Sequence, residues 1–287
     1  MKPSAFGYSR PESVEEALST LHALGSGAKV LAGGQSLLPI MSMRLAAPEH
    51  LVDVNRLAEL AYVRVDSGRV RVGALARHAQ VLRDAPATAA QPLLGQGLAL
   101  VAHATIRNRG TTVGSIVHAD PSGEMTAVLS LLGGTVRVAT TAGEREVGAD
   151  EFFLGPMESA VGSGELALEA SFPVLDPAAG TAFVEVARRH GDYAVCGVAT
   201  HVQLDPDGAV RSARAAYLSV AATPLVLDLS EAFGADGAGD VDAFVRANLE
   251  PEPDIHATAD YRLQLAVVLT ARALVQAHAT ARERSTA

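Results

Sequence analysis

The segment KVLAGGQSLLPIMSMR, Lys29 to Arg44, decides how the first part of this chain is read. A β-like run, Lys29–Ala32, ends in Gly33-Gly34. Gln35 and Ser36 follow, and an apolar stretch then opens. Consecutive glycines let main-chain N–H groups approach an anion closely, because no Cβ stands in the way. Gln35 and Ser36 can add side-chain donors, and Ser36 is placed to cap the next short helix. The loop has neither G-x-G-x-x-G spacing nor a G-K-[ST] end, so it is not one of the common phosphate loops. Taken alone it reads as a plain turn before it reads as an anion cradle.

Working outward, Ser13-x-x-Glu16 is a capping-box pattern, with Val14, Leu18 and Leu21 at helical spacing after it. This helix closes at Gly25 and Gly27. The segment HLVDVN, 50–55, reads as a strand, and YVRVDSGRVRVGA, 62–74, as a hairpin. Helical patterns follow at about 77–84 and 92–103. The stretch TIRNRGTTVGSIVHADPSGE, 105–124, is too polar and glycine-rich to read as a core element. A helix near 125–132 and a hairpin, TVRVATTAGEREV, come next. At PVLDPAAG, 173–180, the texture changes and a domain boundary is placed. Beyond it lie strands at about 181–187, 195–204 and 209–220, then helices at about 240–249 and 258–278. On the last helix Tyr261, Leu265, Val268, Leu269 and Arg272 mark one face and its edge, and the tail ARERSTA reads as frayed. Strands and helices do not alternate regularly, which favours an α+β fold over a doubly wound parallel sheet.

Composition removes several functions. A formal net charge of −9 disfavours nucleic acid, which demands clustered positive charge. Cys196 is the single cysteine, so this chain alone holds no internal disulfide, cysteine zinc cage or iron–sulfur cluster. Apolar runs such as LAVVL, 265–269, fall far short of the ~20 residues of a bilayer span, and MKPSAFGYSRPESVEEAL has no apolar signal core. A cytoplasmic setting is expected. No Ser-His-Asp order, no H-E-x-x-H and no carboxylate pair on a defined scaffold is present, so neither a catalytic residue nor a metal ligand is assigned. His118 is the only histidine inside a motif and reads as a loop hydrogen-bonding group.

A second donor-rich run changes the reading of the first. Thr111, Thr112, Gly114 and Ser115 offer hydroxyls and main-chain donors, and two such loops can clamp a diphosphate between them. Arg107 and Arg109 either reach the phosphate, stay solvated or face a partner. Carboxylates just downstream, Asp120 and Glu124, would repel phosphate and so suit ribose hydroxyls. Asp120 is alternatively a cap for a helix starting near Pro121, and Glu124 is the better ribose candidate.

Four stretches in order, AGGQSLLPIMSMR, TIRNRGTTVGSIVHADPSGE, EVARRHGDYAVCGVA and DIHATADYRLQLAVVLTARAL, resemble the FAD-binding medium subunit of molybdenum hydroxylases, the xanthine dehydrogenase and aerobic carbon monoxide dehydrogenase family. The resemblance covers nearly the whole chain. It implies an FAD-binding domain of the vanillyl-alcohol-oxidase (PCMH) type over 1–175, with subdomains of about 1–56 and 57–175. A smaller α+β domain with a three-stranded sheet plus helices would follow over 178–287. It implies non-covalent FAD contacts at Val30, Leu31, Ala32, Gly33, Gly34, Gln35, Ser36 and Leu37 in the first loop, and at Thr111, Gly114 and Ser115 in the second. Asp120 and Glu124 would lie toward the ribose. Val101, Ala102 and the backbone of Leu166 would lie near the isoalloxazine, with Asp192 at its edge. Tyr193 would either stack on the ring or be a domain-interface core residue. The family usually has T-[IVL]-G-G in the second loop, where this chain has Val113 in place of the first glycine. Val113 therefore either keeps a β-region backbone or alters the geometry of binding.

By the same resemblance the chain is a flavoprotein electron-transfer subunit. It would take electrons from two [2Fe–2S] clusters of a small subunit, a large molybdopterin subunit having oxidised the substrate, and pass them through FAD to an external acceptor. A dimer of heterotrimers is implied. Carbon monoxide, a purine, a nicotine-like heterocycle and an aldehyde remain open as substrates, and NAD⁺, a quinone and O₂ as acceptors. The rival readings are a stand-alone FAD oxidoreductase and a non-catalytic nucleotide-binding scaffold.

Overall fold

The computed structural model describes residues 2–286. Its N-terminal part contains two larger sheets and a two-stranded ribbon, Phe153–Gly155 with Glu158–Ser159. Gly7–Ser9, His50–Asp53 and Ala28–Leu31 form a small parallel sheet in that order, so the strand entering the glycine loop lies at a sheet edge. The helix Val14–Leu24 covers this sheet with Ala17, Leu18 and Leu21. Its cap is the expected one on one side only. The Glu16 amide donates to Ser13 Oγ at 3.1 Å, whereas the Glu16 carboxylate accepts from the amide of Glu12 rather than of Ser13.

The second sheet has five antiparallel strands in the order Val63–Asp66, Arg69–Gly73, Leu166–Pro173, Thr135–Thr140, Gly143–Gly148. Both expected hairpins are present. Its central strand, LALEASFP, is absent from the sequence reading because Glu169 interrupts an otherwise apolar run. That carboxylate is buried by distant partners: Tyr62 donates to it at 2.6 Å and Arg71 at 2.9 Å.

The C-terminal sheet has four strands rather than three. Ala179–Ala187, Ala194–Leu204, Val210–Leu218 and Leu225–Asp228 pair antiparallel in sequence order. Leu225–Asp228 is a short edge strand whose three apolar residues are only half-buried, too brief to show alternation. One face of the sheet meets helices Pro92–Leu100 and Glu124–Leu132, and the other meets the long helix Ala259–Ser285. The first face joins the main core through Phe183, Ala194, Ala199, Ala216 and Leu218. The second builds its own core from Cys196, Val198, Val202 and Tyr217 against Leu269, Ala273 and Ala277.

The last helix differs from expectation at two points. It continues to Ser285, with Ala281 buried, so most of the tail is helical rather than frayed. Its buried face runs Arg262, Ala266, Leu269, Thr270, Ala273, Ala277 and Ala281, while Tyr261 is 51% exposed and Arg272 is exposed. Small residues lie inward because the helix crosses very close to the sheet: a Cβ on Gly180 would collide with the backbone of Ala277 and Ala281. The burial of Arg262 is sustained by the Val195 carbonyl at 3.0 Å and the Asp254 carboxylate at 2.8 Å.

Gly180→Ala is expected to lower the unfolding free energy by about 1–3 kcal/mol through overpacking, measured by urea denaturation. An unchanged midpoint would refute the close helix–sheet crossing.

Candidate functional site

The two loops meet. A Cβ built on Gly33 would stand 2.7 Å from both the Arg109 carbonyl oxygen and Gly110 Cα, and 3.0 Å from the Thr111 nitrogen. Gly33 is thus required for close approach, whereas Gly34, at φ +71°, is required for backbone conformation. Loops about 75 residues apart in sequence stay in contact because a polar clasp spans them. Arg77 donates from Nη1 to the Arg109 carbonyl and from Nη2 to Asn55 Oδ1, both at 2.6 Å. Asn55 Nδ2 in turn donates to the Ala32 carbonyl at 2.9 Å and to Asp53 Oδ1 at 2.6 Å. The His78 amide donates to the Gly110 carbonyl at 2.9 Å, and the Thr112 amide to the Ala76 carbonyl at 3.2 Å. Beneath them the His78 ring shares a hydrogen bond with Thr112 Oγ1, and burial, with Arg107 nearby, holds His78 down at about 4. The ring is neutral at pH 7.

Asn55, Arg77 and His78 were absent from the sequence assignment. Their one local signal is the polar Asn55 closing an apolar strand. Arg77 and His78 open an ordinary helical stretch and acquire their role only through contacts across the fold.

The second loop is not an open run. Thr112–His118 is a helix with Thr111 at its N-cap, whose Oγ1 accepts from the Gly114 amide at 3.2 Å. Thr112, Val113 and Ile116 are buried, so the segment read as too polar for the core places one face there. Val113 has helical rather than β-region backbone, and a helical position has no need of a glycine's positive φ. Ser36 makes no side-chain cap to the helix Leu37–Ser42. Gln35 turns its Nε2 back onto the Gly33 carbonyl at 2.9 Å, fixing the loop.

Around this junction lie the remaining assigned positions. Arg107 donates from Nη1 to the carbonyls of Val101 and Ala102, at 2.7 and 2.9 Å, and so braces that corner, where Ala102 has φ +41°. Its guanidinium is committed to main chain, and direct phosphate contact is set aside. Next to the corner, Gly191, at φ +87°, lies so close to the His103 ring that a Cβ there would collide with it. This contact sets the segment carrying Asp192 and Tyr193, both exposed, against the N-terminal part. The Tyr193 residue is 66% exposed, which rules out the interface-core reading. Burial of its hydroxyl, then Asp120 and Glu124, push its pKa up to about 12.

Asp120 does not cap a helix at Pro121. It accepts from the Ser122 amide at 2.9 Å in a tight turn, and the helix begins at Glu124. Burial pushes Glu124 up to about 8, with Glu185 and Asp120 adding to the shift and Arg107 opposing it. Leu166 is buried at the start of the central strand, on which the helix Thr112–His118 packs. Cys196 lies in the C-terminal core, its thiol pushed up to about 12 by burial, and is no nucleophile. Among the described residues no cluster of three or more His, Cys, Asp or Glu is placed to hold a metal.

Residues 4–175 match the family described as the FAD binding domain in molybdopterin dehydrogenase, and residues 181–277 match the CO dehydrogenase flavoprotein C-terminal domain. The chain belongs to the FAD-binding medium subunits of the molybdenum hydroxylases. It is 38% identical to the 6-hydroxypseudooxynicotine dehydrogenase complex subunit alpha of Paenarthrobacter nicotinovorans, with 96% of each chain covered. It is 37% identical to the caffeine dehydrogenase subunit beta of a Pseudomonas species, again over 96% of each. Among solved structures it is similar to the carbon monoxide dehydrogenase of Hydrogenophaga pseudoflava that lacks the Mo-pyranopterin moiety. That chain shows 35% identity and a TM-score of 0.91, over 98% of this chain and 99% of that one. The chain is therefore an FAD-binding oxidoreductase subunit with the α+β fold expected, and the non-catalytic scaffold is set aside.

The site itself fits a dinucleotide. Among the described residues, the five consecutive main-chain N–H groups of Gly33 to Leu37 have no acceptor in the protein, nor do those of Thr111 and Val113. Unpaired donors brought together in this way are suited to phosphate oxygens.

Arg77→Met is expected to lower stability by about 2 kcal/mol, since two charge-assisted hydrogen bonds are lost, and to weaken FAD retention at least in parallel. Gly33→Val should yield flavin-poor protein, because the branched side chain strikes the main chain of the second loop rather than the cofactor's own space. Absorbance at the flavin band per mole of protein checks both; full FAD content in Gly33→Val would overturn the clasp.

Proposed function

We propose that the chain is the flavoprotein electron-transfer subunit of a heterotrimeric molybdenum hydroxylase, passing electrons from [2Fe–2S] clusters of a small subunit by way of FAD to an external acceptor. The observation that supports it best is the junction of unpaired N–H groups at Gly33–Leu37 and at Thr111 and Val113. FAD, when bound, supplies the exchange between one-electron and two-electron carriers, and the protein supplies binding, orientation and electrostatics.

In this reading the first loop, from Val30 through Ala32 to Leu37, and the second loop's Thr111, Gly114 and Ser115 hold the diphosphate from opposite sides. Glu124 accepts from ribose hydroxyls, while Asp120 shapes the turn before it. Val101, Ala102 and Leu166 wall the isoalloxazine pocket, with Asp192 at its rim and the exposed Tyr193 ring free to cover the flavin. The FAD is non-covalent. The two domains divide at about 175–178, and the first has subdomains of about 1–56 and 57–175. No residue near the site is placed to activate a substrate, which favours electron transfer over a stand-alone oxidoreductase. A large molybdopterin subunit and a small iron–sulfur subunit are the proposed partners, in a dimer of heterotrimers. The absence of cysteine beyond Cys196 requires that the clusters be theirs. The setting is proposed as cytoplasmic; no described helix is long and apolar enough to cross a membrane.

The expected outcome of expression with the neighbouring subunits is co-purification of this chain with an iron–sulfur protein. Acid-released FAD would be about one per chain. Reduction of the clusters should bleach the flavin absorbance. A yellow chain that never associates with such a partner and oxidises a small substrate alone would replace this reading with the stand-alone oxidoreductase.

A further inference from the structure

Ser219 stands just past the strand Val210–Leu218 at φ +62°, in the left-handed region that a Cβ disfavours. A glycine would take this backbone without strain; what serine adds is a hydroxyl. Both polar groups of Ser219 are used, and they join the N-terminal part to the C-terminal sheet. Its amide donates to the Pro121 carbonyl at 2.9 Å, in the turn that follows Asp120 and leads into Glu124. Its Oγ lies 2.7 Å from the Ala194 carbonyl and 2.9 Å from Ser122 Oγ. A carbonyl oxygen only accepts, so the one hydroxyl proton of Ser219 goes to Ala194, and the Ser122 hydroxyl donates to Ser219.

Ala194 follows Tyr193 directly, so the segment Gly191–Ala194 is anchored at both ends. At its start, Gly191 lies against the His103 ring, which also meets the His190 ring in an edge contact at 5.8 Å. At its end, the Ala194 carbonyl is held by Ser219. Each anchor leads back to the N-terminal part, one through His103 and the other through Pro121 and Ser122. Between them the side chains of Asp192 and Tyr193 are exposed. A strained residue whose hydroxyl and amide tie two segments at one point is a device for fixing geometry.

We propose that Ser219 is a positioning residue for the flavin's cover: its hydroxyl, held by Ser122, fixes the Ala194 carbonyl and so sets the place of the Tyr193 ring over the isoalloxazine. The proposal deepens the functional reading above and rests on Tyr193 as the residue that covers the flavin. It assigns the left-handed serine a purpose that a glycine could not serve. It also links the cover to the turn before Glu124, so the ribose side of the site and the ring side share one anchor.

The test is the fluorescence decay of bound FAD in the assembly in which the chain purifies. A tyrosine stacked on an isoalloxazine quenches its emission, so the covered flavin decays fast and the uncovered flavin slowly. Tyr193→Leu should remove the fast component. Ser219→Gly relieves the backbone strain and removes only the hydroxyl, whereas Ser219→Ala removes the hydroxyl and keeps the strain. In both, the ratio of fast to slow amplitude should fall by about fivefold, the worth of one ordinary hydrogen bond, although Ser219→Gly melts no lower than Ser219→Ala.

A wild-type decay in Ser219→Gly overturns the proposal, whatever Ser219→Ala does, because strain alone would then be at issue. An unchanged decay in Tyr193→Leu instead removes the reading of Tyr193 on which the proposal stands, so the two failures are distinct. Should Ser219→Gly lose its FAD, amide hydrogen exchange of the FAD-free full chain decides. Faster exchange confined to residues 190–196, relative to the FAD-free wild type, supports the proposal; unchanged exchange there overturns it.

Discussion

Everything at the candidate site depends on the approach of Gly33 to the backbone of Arg109–Thr111. No side chain intervenes, so the separation of two main-chain segments sets the shape of the pocket, and Arg77 and Asn55 set that separation. The arrangement is economical in charge. Arg77 does not point at a phosphate; it holds two carbonyl-bearing loops together, and its positive charge is partly spent on those carbonyls. Donation to an anion is left to neutral N–H groups, whose direction the fold fixes. Such dipoles cost little to reorganise when a charged ligand arrives, which suits a chain whose overall charge is −9.

The parts of this arrangement that were legible in the sequence are those encoded locally. A strand running into Gly33-Gly34, a capping box at Ser13 and two hairpins with Gly68 and Gly143 in their turns each follow from residues within a few positions of one another. The parts that were not legible depend on distant contacts. Leu166–Pro173 hides because Glu169 is buried only once Tyr62 and Arg71 reach it from another strand. The inward face of the last helix hides because alanines, not leucines, are what a crossing against Gly180 permits. The helix Thr112–His118 hides because its buried Thr112 is satisfied by His78, more than 30 residues earlier. In the same way the site's contacts read from a family pattern, such as the glycine loop, are local, whereas the clasp of Asn55, Arg77 and His78 is not.

Polarity across the site is the remaining constraint. At one end, around Gly33–Leu37 and at Thr111 and Val113, the chain offers donors without acceptors. At the other, Asp120 and Glu124 bring carboxyls together. A ligand satisfying both ends must be anionic at one point and rich in hydroxyls at another. An elongated neutral metabolite would leave the N–H groups unpaired, and an inorganic anion would leave the carboxyls unpaired, each at a cost comparable to a lost hydrogen bond per group. A dinucleotide meets both demands, and the opposition of donors and acceptors also orients it: reversing it would set phosphate against carboxylate. Orientation in turn decides where the redox ring lies, and the proposed assignment sets it toward the corner braced by Arg107 and the segment that Gly191 rests on His103. That segment belongs to the C-terminal sheet's first hairpin, so under the proposed assignment the second domain contributes to the flavin's surroundings while the diphosphate stays with the first.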